Sequence, residues 1–332
     1  MGQSPLSAGA DAPSILLQPW GEVTALLFCG LTILGDLGDG PMQIILNADD
    51  FGRSSAINRA VMLAHREGVL TSASLMVSGD AFDEAAALAR ATPTLAVGLH
   101  LVVAHGRSVL PPLAIPHLVD NQSFFSKDLW RLSLRYAFSR EARRELALEM
   151  NAQFERFAAT GLPLSHVDGH LHMHLHPTVF RLLLPLAEKY GARGLRVTRD
   201  DLRLALRYDQ ERIVTKVMWA IVFGLLSRWC RGRMRGHRLI TTQRVYGLMQ
   251  TGSMHEQYVK GLLLRLNVPT AELFFHPTVD ADGEYLGPNP GDLATLLSPS
   301  VRKVSLERGL KLTTYPALYA ESKGSFATSP GR

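Results

Sequence analysis

Two adjacent carboxylates stand out as groups that could do chemistry in this 332-residue chain. Asp49 and Asp50 lie in the segment NADDFG, directly after the apolar run QIIL. Adjacent carboxylates repel each other unless a cation lies nearby or one of them keeps its proton. An ordinary turn also uses Asp, Asn and Gly. The pair alone therefore indicates either a loop or a site in which one carboxylate binds a metal and the other faces a substrate.

A dense group of histidines gives the second signal. Five of the twelve histidines lie within eleven residues, in the segment HVDGHLHMHLH, where they alternate with apolar residues. Neutral imidazole is the commonest metal ligand in proteins, and a carboxylate such as Asp168 can orient it or bind the metal directly. Catalytic sites commonly use three protein ligands and keep a position for water, so the five cannot all bind one ion. A solvated polar loop or an incidental His-rich tract is the alternative.

Two further histidines, His100 in VGLHL and His276 in FFHP, each follow an apolar run. A single histidine in an apolar strand is more often a satisfied core residue than a ligand. Both become stronger candidates for a functional role because they end predicted strands, as the aspartate pair and the histidine group also do. Four strand ends therefore carry ligand or acid–base groups.

These strand ends belong to a regular alternation of elements. Apolar runs of strand length alternate with segments of helical period from Met42 onward, which is typical of a β/α protein with a largely parallel sheet. We predict strands over Gln43–Ala48, Ser72–Val77, Leu95–Leu101, Leu164–Val167, Gly194–Thr198, Glu272–Phe275 and Leu310–Thr314. We predict helices capped by Ser54 or Ser55, by Asp80 and by Ser139, and one from Pro177 to Tyr190 that ends at Gly191.

Periodicity alone leaves an open doubly wound sheet and a barrel both possible. In a β/α barrel the active site forms at the carboxyl ends of the strands, where several strands direct groups at one place. The polar residues fall at such ends, and we therefore predict an α/β fold, an irregular TIM-like (β/α) barrel.

The segments NADDFG, TSASLMV, VGLHL, HVDGHLHMH and FFHP, in this order and spacing, resemble the YdjC-like carbohydrate deacetylase family, most closely its hopanoid-biosynthesis-associated branch. The resemblance covers Met42 to Tyr315 and leaves residues 1–40 and about 205–245 outside the general pattern. It implies a barrel of the glycoside hydrolase/deacetylase type that binds one divalent ion, usually magnesium, and hydrolyses the acetamide of N-acetylated sugars. For the branch it implies a lipid substrate, an N-acetylglucosaminyl-hopanoid.

The resemblance also implies roles for single residues. Asp50, His100 and His170 would bind the metal, Asp49 would be the base and His276 the acid. Amide hydrolysis independently needs such groups, because water must be activated and the departing nitrogen protonated. Two imidazoles and one carboxylate suit zinc, iron or manganese as well as magnesium.

Other polar residues could contact the substrate or support the site. We predict that His172 and His174 line the sugar pocket, although simple solvent exposure is an equal alternative. Arg196 or Arg199, at the end of GLRVTR, could hold a carboxylate by a bidentate contact, and we predict a place for Arg196 in substrate binding.

Composition indicates the cellular compartment of the protein and the order of its terminal segments. The two cysteines show no C-x-x-C spacing, so neither a disulfide framework nor a thiolate metal site is indicated. Residues 1–52 contain no Lys or Arg, whereas a signal peptide has a positively charged start, so we expect a cytoplasmic protein. We expect residues 1–40 to be a loosely ordered extension, 41–320 to be the catalytic barrel, and 321–332 to be a flexible tail.

A basic, apolar insert at about residues 205–245 suggests a membrane partner. Val217 to Leu226 is apolar, and Arg193 to Arg244 holds thirteen Lys or Arg against four Asp or Glu. Such a segment suits the headgroup region of an anionic membrane, at the inner face of the cytoplasmic membrane. A barrel helix with a solvated basic end is the alternative. We expect no nucleic acid partner, since no nucleic-acid module is recognisable, and a homodimer is possible.

Three other functions compete with hydrolysis of a lipid-linked amino sugar. The substrate could be a soluble N-acetylated oligosaccharide such as chitobiose. Metal-dependent phosphoester hydrolysis uses similar Asp and His sets, yet usually needs two ions and more carboxylates. A membrane-associated protein that binds carbohydrate without catalysis is the third.

Overall fold

A curled, parallel sheet organises the part of the chain that the computed structural model describes, residues 40–284 and 286–327. Its eight strands are β1 (Gln43–Phe51), β2 (Ser72–Leu75), β3 (Ala96–Leu101), β4 (His166–Gly169), β5 (Gly194–Leu195), β6 (Arg244–Tyr246), β7 (Thr270–Phe275) and β8 (Lys311–Leu312). The hydrogen-bonded order is β5-β4-β3-β2-β1-β7-β6, and β8 pairs with β1. All pairings are parallel.

Helices connect the strands, as a parallel sheet requires. They are α1 (Ser55–Arg66), α2 (Phe82–Arg90), α3 (Leu129–Phe138), α4 (Arg140–Ala158), α5 (Pro177–Lys189), α6 (Leu202–Tyr208), α7 (Ile213–Met234), α8 (Glu256–Arg265), α9 (Pro290–Leu297), α10 (Pro299–Glu307) and α11 (Tyr315–Ala327). A short 3-10 helix, His170–Leu175, follows β4.

The two ends of the sheet approach each other. Leu195 N of β5 donates to Ile240 O at 2.9 Å, and Ile240 N donates to Arg193 O at 3.1 Å. Val245 N of β6 donates to Arg199 O at 3.1 Å. These bonds link the region of β5 to the region of β6, and the predicted irregular TIM-like barrel is confirmed.

The core lies on both faces of the sheet. Ile44, Ile45, Leu46 and Ala48 of β1 are all buried. A strand covered on both faces needs a nearly continuous apolar sequence rather than an alternating one, and QIILNA fits that need. The sequence of β1 thus buries the strand and leaves polar groups only at its carboxyl end.

Several boundaries differ from the prediction. Strand β6 was missed, because only three residues of it pair with β7 and they lie at the edge of the predicted insert. Asp80 does not cap a helix: α2 begins at Phe82, and its N-cap Ala81 makes no side-chain cap bond. The helices after Ser139 and from Pro177 are confirmed, and Gly191 has the left-handed φ of 78° expected after a helix.

Both chain termini were also part of the prediction. The expected extension, residues 1–40, lies outside the described residues except for Gly40. Helix α11 continues to Ala327, into residues that were expected to form a flexible tail. In the described part of the chain, α7 is the one helix whose length and composition would let it cross a membrane.

Candidate metal centre and active site

The carboxyl end of β1 places Asp49 and Asp50 at the centre of the site. Both carboxylates are buried. Asp50 has the left-handed φ of 64°, and the turn is closed by Arg53 N, which donates to Asp50 O at 3.0 Å. In a regular strand consecutive side chains point to opposite faces. The left-handed residue interrupts that alternation, so the two carboxylates can serve different partners at the same end of the sheet.

Asp50, His100 and His170 form a cluster suited to a metal ion. His100 is the penultimate residue of β3, and His170 opens the 3-10 helix after β4. Asp50 Oδ1 lies 3.2 Å from His170 Nδ1 and 3.5 Å from His100 Nε2. One ligand atom from each residue lies within 4.8 Å of the other two. Three residues far apart in sequence thus present two imidazole nitrogens and one carboxylate oxygen to one another.

The bonding of Asp50 shows that this cluster fits a cation. Asp50 Oδ1 is buried and has no hydrogen-bond partner among the residues that the structure describes. Its other oxygen, Oδ2, accepts a hydrogen bond from Arg53 Nη1 at 3.0 Å. A buried polar atom without a partner is costly, and a cation beside Oδ1 would satisfy it. The donor set suits zinc, iron or manganese as well as magnesium.

Asp168 orients His100 for this role. Its Oδ1 lies 2.8 Å from His100 Nδ1, and its Oδ2 accepts from Ser74 Oγ at 2.8 Å. A ligating histidine commonly binds a carboxylate through its other ring nitrogen, which fixes the ring and its tautomer. His100 is therefore held with Nε2 directed toward Asp50.

A second group, Asp49, His100 and Asp168, also lies close enough to hold a metal. Its carboxylate oxygens already have partners, however. Asp49 accepts from Arg196 through both oxygens, and Asp168 binds His100, Ser74 and Arg196. The cluster of Asp50, His100 and His170 is therefore the better metal centre.

Arg196 joins three carboxylates beneath the metal cluster. Its Nη1 and Nη2 each donate to Asp49 at 2.7 Å, its Nη2 lies 2.8 Å from Asp168 Oδ2, and its Nε donates to Glu272 Oε1 at 2.9 Å. The guanidinium also lies over the Phe274 ring, 4.8 Å from its centroid. Burial would lower the pKa of Arg196, but Asp168, Asp49 and Glu272 raise it well above its usual value. Arg196 is thus a permanent buried cation.

The carboxylates around Arg196 respond to the same charges. Burial raises the pKa of Asp168, but Arg196 and His100 outweigh this and hold that pKa well below its usual value. Burial likewise opposes ionisation of Asp50, whose pKa is nevertheless held low by His170 and His100. Burial would lower the pKa of His100, yet Asp168, Asp49 and Asp50 raise it to about 9. The carboxylates of the site therefore stabilise positive charge on His100 and Arg196.

His276 lies next to the predicted base. Its Nε2 is 3.9 Å from Asp49 Oδ2, and its side chain is partly exposed. Its backbone N donates to Asp292 Oδ2 at 2.8 Å, which fixes the start of the loop after β7. Asp49 and His276 thus stand side by side at the carboxyl end of neighbouring strands.

His174 and Arg196 lie in places that do not suit the sugar contacts predicted for them. Both are fully buried. His174 Nε2 lies 3.0 Å from Arg196 O, and burial, with Arg196 nearby, lowers the pKa of His174 to about 4 despite Asp168. The sequence could not show this, because Leu171 and His172 adopt left-handed φ values that break the expected alternation. We therefore propose that both residues position the groups of the site and do not contact the sugar.

His172 has a different surrounding and remains partly exposed. Its Nδ1 lies 3.2 Å from Thr198 Oγ1, and its ring meets Phe223 and Phe274 edge to face. Burial, together with His174 and Arg196, lowers its pKa well below the usual value. His172 is therefore a neutral side chain beside the site, and a sugar contact from it stays a prediction. Arg199, the alternative to Arg196, is exposed.

A cleft of about 760 Å³ opens next to the metal cluster. His170 and Arg53 line it together with polar and aromatic residues of the loop after β3, among them His105, Arg107 and Phe124. The His105 ring lies 6.2 Å from the His170 ring between centroids. A cleft of this size can hold a small sugar.

Sequence reasoning missed several residues of this site: Asn47, Arg53, Ser74, His105 and Glu272. Asn47 Nδ2 donates to Asp49 Oδ1 and to Ser74 Oγ, both at 2.8 Å. Of these residues, Glu272 had the clearest signal in the sequence, because a carboxylate in an apolar strand needs a buried partner. No local pattern marks His105, whose left-handed φ of 45° becomes visible only in the structure.

Comparison with known proteins decides the family. The family model described as YdjC-like protein matches residues 43–307, which run from β1 to α10. The chain belongs to the YdjC-like family. The match includes every residue of the metal cluster as well as Asp49 and His276, so the family resemblance in the sequence is confirmed at this level.

Relatives of this YdjC-like chain have been named for their activities. A carbohydrate deacetylase of Geobacillus stearothermophilus is 32% identical over 286 residues, covering 84% of this chain and 99% of that protein. A chitooligosaccharide deacetylase of Serratia marcescens is 31% identical over 236 residues, covering 69% of this chain and 90% of that protein. A carbohydrate deacetylase of Brevibacillus brevis is 44% identical over 149 residues, which is 45% of this chain and 57% of that relative's length.

A solved structure supports the fold of this YdjC-like chain. It comes from Enterococcus faecalis V583 and is described as a candidate cellobiose-phosphate cleavage protein. The two superpose with a TM-score of 0.62 and 24% sequence identity, covering 84% of this chain and 99% of that one. The likeness confirms the barrel-like architecture.

Proposed function

We propose that this YdjC-like protein hydrolyses the N-acetyl group of an amino sugar with the help of one divalent metal ion. One observation carries the proposal: Asp50 Oδ1, which has no hydrogen-bond partner within the described part of the chain, faces ring nitrogens of His100 and His170, beside an Asp49 that Arg196 holds in place. The names of the relatives, carbohydrate deacetylase and chitooligosaccharide deacetylase, support the same reaction class.

Asp50, His100 and His170 would hold the ion. A bound divalent ion supplies Lewis acidity, which polarises the acetamide carbonyl and makes a water more acidic. Asp168 keeps His100 turned toward Asp50, and Arg53 donates a hydrogen bond to the second oxygen of Asp50. The three ligands therefore meet in a fixed geometry, and the cleft on the side of His170 leaves room for the sugar.

Asp49 is the proposed base. Both of its oxygens bind Arg196, and Asn47 Nδ2 donates to its Oδ1, so the carboxylate cannot rotate. Its Oδ2 lies 3.9 Å from Nε2 of the partly exposed His276. Asp49 would take a proton from the attacking water there.

His276 is the proposed acid. A free amine is a poor leaving group unless its nitrogen is protonated, and an imidazolium can give that proton. His276 Nε2 lies 3.9 Å from Asp49 Oδ2, so the proposed acid and the proposed base stand next to each other. The two residues would move one proton each at opposite ends of the scissile amide bond.

The substrate that we propose is a soluble N-acetylated oligosaccharide such as chitobiose. The Serratia marcescens relative, named a chitooligosaccharide deacetylase and matched over 90% of its length, supports it. The N-acetylglucosaminyl-hopanoid that the sequence resemblance implies carries the same acetamide and stays a prediction. Phosphoester hydrolysis is less well supported, because it usually needs two ions and the oxygens of the second group already bind protein partners.

Acetate release tests this function. We expect the purified protein, loaded in turn with Mg²⁺, Mn²⁺ and Zn²⁺, to release acetate from chitobiose with at least one of these ions. Asp49→Asn should reduce the rate by about 10²- to 10⁴-fold, the usual share of a positioned base, while metal still binds. Asp83→Asn, at an exposed carboxylate of α2 outside the cleft, is the matched control and should keep the rate.

Two results would decide against the proposal. A protein that binds metal and chitobiose without releasing acetate would be a carbohydrate-binding protein rather than an enzyme. Release of phosphate from a phosphoester, with no acetate from chitobiose or the N-acetylglucosaminyl-hopanoid, would favour a phosphoesterase. Acetate release from the hopanoid alone would keep the reaction and move the substrate to the lipid.

A further inference from the structure

Helix α7 exposes an apolar stripe. Val214, Met218, Ile221 and Leu225 follow one another at spacings of four, three and four residues, so they share one face of the helix. Their exposed fractions are 75%, 55%, 59% and 66%. Scattered apolar residues on a surface are normal, but a contiguous exposed row marks an interaction site.

The opposite side of α7 packs against the barrel. Trp219 and Phe223 contact the buried cluster of Val245, Leu248 and Phe274. Lys216 and Cys230 are buried as well. A helix that crosses a bilayer alone has lipid on all sides, whereas α7 already has protein along one side. Its apolar stripe is therefore suited to a surface that α7 lies on rather than one that it crosses.

The charge around the stripe identifies the partner. Residues 212–255 contain no Asp or Glu. They contain eight Lys or Arg, namely Arg212, Lys216, Arg228, Arg231, Arg233, Arg235, Arg238 and Arg244. Arg228 lies one turn after Leu225 on the exposed side, and Arg233 and Arg235 beyond it are exposed. An apolar row followed by arginines matches a lipid surface with anionic headgroups.

We propose that α7 docks this protein in the plane of an anionic lipid bilayer, with the stripe Val214, Met218, Ile221 and Leu225 in the interface and the arginines on the headgroups. The helix would cover about 33 Å of the surface at 1.5 Å per residue. A second copy of this chain that docked through the same segment fits less well. Residues 212–255 of that copy contain no carboxylate that could pair with these arginines. A nucleic acid would leave the apolar row unexplained.

The docked helix borders the active site. The Phe223 ring on its inner side lies 5.5 Å from the His172 ring between centroids. The bilayer would thus lie beside the carboxyl end of the sheet, where the site opens. The docking does not rest on the proposed deacetylation, because the stripe lies outside the cleft residues.

Vesicle flotation tests the proposal with the full chain. We expect the wild type to float with vesicles of phosphatidylglycerol and phosphatidylcholine, and to float poorly with phosphatidylcholine alone or at high salt. Ile221→Glu/Leu225→Glu should lower the bound fraction about tenfold or more. Leu148→Glu/Leu306→Glu introduces the same charges at exposed leucines of α4 and α10 and should float like the wild type.

A second pair of variants guards against misfolding. Arg228→Ala and Arg235→Ala keep the apolar stripe and should each weaken binding to the phosphatidylglycerol vesicles by about fivefold, the effect of one basic residue near an anionic surface. Equal flotation of the wild type and both double variants would overturn the proposal. So would an Ile221- and Leu225-dependent dimer in light scattering without flotation, or a wild type that resists alkaline carbonate extraction as a spanning protein does.

Discussion

Asp168 Oδ1 lies 2.8 Å from His100 Nδ1, and this contact turns His100 Nε2 toward Asp50 at 3.5 Å. Asp168 itself is held by Ser74 and Arg196, so the orientation passes from the interior of the barrel to the proposed metal ligand. The residues that would bind the ion are therefore distinct from the residues that orient these ligands.

Removing the charge of Asp168 should weaken metal binding without removing a ligand. We expect Asp168→Asn to raise the dissociation constant for Zn²⁺ or Mn²⁺ by about 10- to 100-fold, the usual effect of losing such a partner. Isothermal titration calorimetry measures it, with Asp80→Asn as the control for charge in the cleft. An unchanged affinity in a folded Asp168→Asn protein would show that His100 does not bind the ion.

Arg196 should be the side chain whose loss costs the fold most. It is fully buried and serves Asp49, Asp168 and Glu272 together. Arg196→Met would leave these carboxylates without their cation, and the free energy of unfolding should fall by about 3–5 kcal/mol. Urea denaturation measures this change.

A matched control for that experiment is Arg199→Met. Arg199 is exposed, and the nearby Arg228 and Arg244 repel it. The variant should stay within about 0.5 kcal/mol of the wild type. If Arg196→Met proved equally stable, Arg196 would not be the organising cation of the site.

Two glycines should respond to alanine in opposite directions. A Cβ at Gly98 of β3 would lie 2.5 Å from Nδ1 of the buried His166 ring, whereas a Cβ at Gly224 of α7 would meet nothing within 4 Å among the described residues. Gly98→Ala should destabilise the protein by about 1–3 kcal/mol. Gly224→Ala should stabilise it by about 0.5–1 kcal/mol through helix propensity. Thermal and urea unfolding measure both, and a destabilising Gly224→Ala would mean that α7 is not helical there.

The Cys230 thiol should be unreactive in the folded protein. Burial raises its pKa to about 12, despite the nearby Arg231, so at pH 8 only about 1 in 10⁴ thiols is the reactive thiolate. In Cys29→Ser, which leaves Cys230 as the single cysteine, a disulfide reagent should label far less than one equivalent of native protein and a full equivalent in denaturant. Rapid labelling of the native protein would place Cys230 at the surface.

The sequence was sufficient to predict the barrel and the strand ends that meet in the site. Asp50, His100 and His170 lie up to 120 positions apart, yet a parallel sheet brings the carboxyl ends of its strands to one edge. Apolar strands that end in ionisable residues are a local pattern, and this pattern was enough to predict that such residues meet at one edge of the sheet. The choice of these three as metal ligands came from the family resemblance.

The bonding beneath the site could not be predicted in the same way. GLRVTR contains a basic residue at a strand end, and nothing local shows that carboxylates of β1, β4 and β7 converge on Arg196. Likewise, the alternation in HLHMH predicted histidines on one face. The 3-10 helix with two left-handed residues instead separates a partly exposed His172 from a buried His174.

The left-handed backbone at Asp50 restricts what can replace this residue. Aspartate, asparagine and glycine tolerate that conformation, while β-branched residues are strongly disfavoured. In a library randomised at position 50, folded clones should therefore concentrate in these three amino acids before any selection for catalysis. Only aspartate among them brings an anion, so foldability and ion affinity can be scored separately at a single codon.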